Sequence, residues 1–128
     1  MASLRSPLGR ARGLGSAKDG THHWWAQRVT AIALVPLVLW FVVSAIGLAG
    51  ASHAAALAWI GHPLNAVLLA ALVVAVFHHA QLGLQVVIED YVHCEAIKIA
   101  ALLAVKATCW LLAAAALLSI VRIFVSAS

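Results

Sequence analysis

The stretch PLNAVLLAALVVAVFHHAQLGLQVVI, Pro63 to Ile88, contains no Asp, Glu, Lys or Arg. A hydrocarbon core of roughly 30 Å takes about 20 apolar residues as a helix, so this run is long enough to cross it. It is too long for a soluble strand and lacks the alternation of a membrane barrel strand. A transmembrane helix is the conformation that pairs all its backbone groups in lipid.

Working outward, Val29–Gly50 and Ile99–Val121 read the same way, the latter interrupted only by Lys106. The chain has 128 residues, 65% hydrophobic and 9% charged, with a mean hydropathy of +1.05. Soluble domains are about half apolar and about a quarter charged, and no soluble fold hides this much apolar surface. The expected fold is therefore an all-α membrane protein of three transmembrane helices, at 29–50, 63–88 and 99–121. A basic tail (1–28) precedes them and a short tail (122–128) follows.

The tail carries Arg5, Arg10, Arg12, Lys18 and Arg28 against one acid, Asp19, and supplies most of the net +4 charge. Such charge beside a first span orients a membrane protein and is no sign of nucleic-acid binding. The N-terminus is expected in the cytoplasm, with 51–62 outside, 89–98 inside and the C-terminus outside. The inner loop is acidic, so the tail alone carries this orientation. The tail has no apolar core before a cleavage site, which argues against a secretory signal. Its Arg/Ser-rich, acid-poor start also resembles an organellar transit peptide. Cys94 falls in the inner loop and Cys109 in the third span; no disulfide between them is expected, and their spacing matches no metal motif.

Polar groups in a membrane helix are costly and usually meet a partner or a cofactor. They concentrate in the second span, in Phe77-His78-His79-Ala80-Gln81-Leu82-Gly83-Leu84-Gln85, ending at Glu89-Asp90-Tyr91. At about 100° per residue, Gly83, Val86 and Asp90 lie about 40°, −20° and 20° from His79, so the four form one stripe. A neutral imidazole can ligate haem iron, and a Gly one turn away lets a flat macrocycle approach. The plainer reading of His79 is a hydrogen bond across a helix interface. His78 points about 100° away, toward packing or a partner. Gln81 and Gln85 share another face, suited to interhelical hydrogen bonding.

Asp90 and Tyr91 mark the inner end of the span. Tyr91 suits an interfacial anchor, or a phenol donating to a quinone carbonyl with the carboxylate supporting proton delivery. Before the first span stands Thr21-His22-His23-Trp24-Trp25-Ala26-Gln27-Arg28. The Trp pair reads as an interface anchor. Arg28, expected at the same membrane face as Asp90 and Tyr91, suits either a topology charge or a partner for carboxylates. Pro36 is expected to kink the first helix.

These residues together resemble a known family, the smaller membrane anchor (D subunit) of succinate dehydrogenase, the succinate:quinone oxidoreductase of respiratory complex II. The resemblance rests on His79, Gly83 and the run Asp90-Tyr91-Val92-His93, with Asp and Tyr eleven and twelve residues after the His. The segment Gln27-Arg28-Val29-Thr30-Ala31-Ile32-Ala33-Leu34 is similar to the family's start of helix one. It covers Thr21 to Glu95; the first 20 residues and the third span add only length and hydrophobicity. The sister C subunit carries an Arg-His pair after its Gly, whereas Leu84-Gln85 stand here, which favours the D subunit.

The resemblance implies a haem-binding bundle built with a partner anchor subunit. His79 is then one axial ligand of a b-type haem, with the other His from the C subunit. Arg28 and His22 meet the haem propionates, Tyr91 hydrogen-bonds ubiquinone, and Asp90 sits beside that pocket. It further implies flavoprotein and iron–sulfur partner subunits. The chain has no flavin-binding fingerprint and no Cys cluster for iron–sulfur centres, so no catalytic residue of succinate oxidation is expected in it, and a bacterial inner membrane is expected in preference to a mitochondrial one. Two alternatives stay open: a self-contained membrane cytochrome b, which His53, His62 and His78 are poorly placed to complete, and a scaffold without haem.

Overall fold

The computed structural model describes residues 6–8 and 17–127. The chain runs as α1 (Ala17–Gly47), α2 (His53–Gly61), α3 (Pro63–Tyr91) and α4 (Glu95–Ala127), with no strand among the described residues. Three helices, Gly20–Gly47, Pro63–Tyr91 and Glu95–Ala127, are long and apolar enough to cross a membrane. The protein is a multi-pass α-helical membrane protein.

The helices outrun the apolar runs. α1 reaches back to Ala17, into the stretch expected as tail, because the segment from Ala17 to Arg28 holds no proline and one glycine, Gly20. α4 continues to Ala127. Arg5, Arg10, Arg12 and the segment resembling a transit peptide lie mainly outside the described residues. Pro36 sits within α1, at a position the helix passes through.

The expected outer connection contains α2, a nine-residue helix too short to span. Ser52 caps it, its Oγ accepting from the Ala55 N–H at 3.2 Å, and its alanines favour the helix. Asn65 Nδ2 donates to the Trp59 carbonyl at 2.8 Å, and Trp59 stacks on Trp40 of α1 with ring centroids 5.5 Å apart. At Gly61 a Cβ would stand 2.5 Å from that of Ala127, so the end of α2 closes on the last turn of α4 only because Gly61 lacks a side chain.

α3 is the central helix, packed against both α1 and α4. It holds most of the buried positions, Ala66, Leu72, Ala75, Gln81 and Leu82, with Ala113 facing it from α4. Half of these six positions are alanine, and between helices in lipid the close packing that small residues allow replaces the hydrophobic drive. Large apolar side chains such as Ile32, Val43, Leu111 and Leu118 point outward, where acyl chains cover them.

Candidate functional site

The seam between α1 and α3 is built around one interhelical hydrogen bond. Thr30 Oγ1 lies 2.9 Å from His79 Nδ1. The same hydroxyl stands 2.8 Å from the Ala26 carbonyl and 3.1 Å from that of Gln27, one turn back on α1. A hydroxyl has one proton, and back-bonding to the helix carbonyl uses it. The Thr30 oxygen then accepts from His79 Nδ1–H, which leaves the lone pair on Nε2. A metal-bound imidazole requires this arrangement, its second nitrogen donating to a fixed acceptor.

One turn on, Gly83 also faces α1. A Cβ there would meet Gln27 Nε2 at 3.7 Å, an ordinary contact. The whole His79–Gly83 stripe turns toward the neighbouring helix. On α1 this face also carries His23 and Gln27, whose Nε2 and Oε1 are buried without a hydrogen-bond partner among the described residues. Orphaned polar atoms of this kind cost about 1–3 kcal/mol each, which marks the seam as a place for water or a polar ligand group.

Contacts at Thr30–His79 and Gln27–Gly83 define an antiparallel register that sets Asp90 opposite Gly20. Arg28 therefore lies about two turns deeper than Asp90 and not beside it. Its guanidinium leans back over Trp24, 5.4 Å from the ring centroid, and Trp24 makes an edge contact with Trp25. His22 is exposed and His23 is the one turned into the seam. Asp90 and Tyr91 are exposed at the end of α3, Tyr91 to 78%, so the described residues leave most of the phenol uncovered. His22, Arg28, Asp90 and Tyr91 do share one end of the bundle, where α1 begins and α3 ends.

His78 faces the other way. With Phe77, Gln81, Cys109 and Trp110 it lines an apolar groove of about 360 Å³ between α3 and α4. Gln85 donates to Glu89 at 2.8 Å along its own helix, not across an interface as read from sequence, because a carboxylate one turn away is the nearest acceptor. Cys94 and Cys109 are free. Among the described residues no three His, Cys, Asp or Glu side chains converge on a metal position. A single imidazole with Nδ1 engaged by Thr30 could give a haem iron one nitrogen ligand from this chain.

The family model of the succinate dehydrogenase/fumarate reductase transmembrane subunit matches residues 2–119. The chain belongs to that family. Among its relatives, the succinate dehydrogenase hydrophobic membrane anchor subunit of Rickettsia bellii is 37% identical over 103 residues, covering 80% of this chain and 82% of the relative. The protein of the same name from Paracoccus denitrificans is 37% identical over 86 residues, 67% of each chain. The succinate dehydrogenase membrane anchor subunit of Reclinomonas americana is 30% identical over 92 residues, 70% of this chain and 77% of the relative. No solved structure matches significantly. The resemblance drawn from His79, Gly83 and Asp90-Tyr91 thus points to the name these relatives carry.

Thr30 and the orphaned pair His23 and Gln27 line the candidate site, and sequence reasoning gave them no role. Thr30 stands inside the quoted Gln27–Leu34 segment, and from Val29 to Leu39 its hydroxyl is the only polar side-chain group. Polar groups at membrane depth seek partners, and that signal was available. Which helix answered it depended on the interhelical register.

Proposed function

We propose that this chain is the smaller membrane anchor of a bacterial succinate:quinone oxidoreductase, with the first helix entering from the cytoplasm. It holds the flavoprotein and iron–sulfur subunits at the inner membrane and shares a b-type haem with a second anchor subunit. Family membership supports the anchor role, and the Thr30–His79 hydrogen bond is the observation that carries the haem reading. His79 Nε2 would hold the haem iron. Arg28 and His22, at the cytoplasmic end of α1, balance propionate charge. Tyr91 donates to ubiquinone and Asp90 supports proton delivery beside it. The haem, when bound, stores one electron between the iron–sulfur relay and the quinone.

The hydroxyl of Thr30 gives the reading its sharpest test. Thr30→Val keeps the shape and removes the acceptor that holds Nδ1–H. In the complex purified through a tag on this chain, haem retention should fall by about 10- to 100-fold, the usual effect of losing an outer-shell partner of a metal ligand. Low-spin EPR g-values should shift in the fraction that stays loaded. Wild-type retention and g-values in Thr30→Val, or a tagged complex without flavoprotein and iron–sulfur subunits, would sink the proposal.

Orientation is tested by thiol labelling. Cys94 is exposed at the α3–α4 turn and serves as a native probe. In a Cys109→Ala background, an impermeant thiol reagent added outside should miss Cys94 until the cells are opened. It should label Ser52→Cys from outside. The reverse pattern inverts the topology.

A further inference from the structure

The seam between α3 and α4 holds one polar side chain that the fold leaves unanswered. Gln81 is only 8% exposed, and among the described residues its amide makes no hydrogen bond. Buried amides are almost always paired, so Gln81 calls for a partner from outside the chain. It lines two grooves at once. Toward the end where α4 begins, a groove of about 200 Å³ is lined by Gln81, Gln85, Leu102, Leu103, Val105 and Lys106. From Gln81 toward mid-membrane lies the apolar groove of about 360 Å³ that His78 faces, which also takes in Cys109, Trp110 and Leu117. At about 100° per residue, Leu102, Lys106, Cys109 and Leu117 fall within about 80° of one another on α4, and Val74, His78, Gln81 and Gln85 within about 60° on α3. The two grooves are successive stretches of one track along the seam.

Lys106 is the one charged residue in the apolar run Ile99–Val121. It is exposed, and no acid among the described residues lies within 4 Å of it. Glu89 takes an N–H from Gln85 at 2.8 Å and lines neither groove, so the free amide beside Lys106 is that of Gln81. α4 has 33 residues. Centred on a core of roughly 30 Å, it leaves the Lys106 backbone about 7 Å inside the hydrocarbon edge, and its stem leans toward that edge and reaches it by snorkelling. Below it, the stretch from Lys106 to Leu117 covers about 16 Å, one leaflet's share of the core. The track thus carries an ammonium and a free amide at its shallow end and apolar walls beneath, the order in which a phospholipid carries phosphate and acyl chain. A quinone has the same order but no charge to answer Lys106. The second anchor belongs elsewhere: sharing a haem through His79 sets it against the His79 face, and Gln81 points about 160° away from that face around α3. This last step rests on the haem reading.

We propose that this track holds one anionic phospholipid of the leaflet at the α3–α4 turn. Its phosphate meets the Lys106 ammonium and the Gln81 N–H, and one acyl chain lies along Trp110, Ala114 and Leu117.

The test uses the intact complex in nanodiscs of equal phosphatidylglycerol, phosphatidylethanolamine and phosphatidylcholine, with retained lipid read by native mass spectrometry after release. Wild type should keep phosphatidylglycerol preferentially. Lys106→Gln should lower that retention about fivefold, the weight of one basic residue on an anionic head group, and Lys106→Arg should preserve it. Ala114→Leu, at an exposed position beside the apolar stretch, should lower it with the charge unaltered. Equal retention of all three lipids by wild type, unchanged retention in Lys106→Gln or in Ala114→Leu, or loss of the second anchor from Lys106→Gln with lipid unaltered would each overturn the proposal. Haem absorbance in the same samples separates the two readings. A complex without haem that still keeps phosphatidylglycerol through Lys106 sinks the haem assignment alone, and a haem-loaded complex without lipid preference sinks the lipid site alone.

Discussion

Replacing His79 by alanine is expected to abolish the low-spin haem spectrum of the purified complex, while His78→Ala leaves it near wild type. Both residues are histidines at the same depth, half-buried, one position apart. They differ in what they face. His79 looks onto α1, where Thr30 holds Nδ1 and leaves Nε2 as the free donor atom. His78 looks into the apolar groove beside Cys109 and Trp110. If His79 holds the haem iron, losing its imidazole would open the iron to water and raise its spin, so reduced-minus-oxidised absorbance and EPR would both read the change. Truncating His78 removes packing at a lipid-accessible groove and no ligand. An unaltered spectrum in His79→Ala, or its loss in His78→Ala alone, removes the assignment.

Tyr91→Phe should lower quinone reduction while succinate oxidation with an artificial acceptor that bypasses the membrane site stays normal. The phenol is 78% exposed in this chain, so its removal leaves no cavity and the fold is untouched. The lost donor costs about 0.5–1.5 kcal/mol in quinone binding, roughly a two- to tenfold change, and more if the bond strengthens in the transition state. An interface anchor makes the contrary prediction, since Phe also partitions to the membrane boundary. Wild-type rates in both assays would leave Tyr91 an interface aromatic.

Much of this protein was legible before any coordinates. Uncharged runs longer than the bilayer core leave a helix no alternative, so Pro63–Ile88 could be read outright. The stripe of His79, Gly83 and Asp90 followed from helical periodicity, which survives in any packing. Helix ends were less legible. Lipid does not define where a helix stops in the interface, so α1 ran on to Ala17 and α4 to Ala127. The short α2 was hidden in a connection whose alanines carry no periodic signal.

By itself, then, the sequence determined that three helices cross a membrane and which residues share a helical face, because both depend only on local spacing and on the cost of unpaired backbone in lipid. Tertiary structure decided what each face meets. Thr30 met His79 because an antiparallel register brought a mid-membrane hydroxyl level with an imidazole on the neighbouring helix. The same register set Arg28 two turns below Asp90 and left Lys106 across a groove from Gln85. Helices close on one another where side chains are small, as at Gly61 against Ala127, where a Cβ would not fit. Such close approaches depend on the shapes of two surfaces at once, and no periodicity within one helix encodes them.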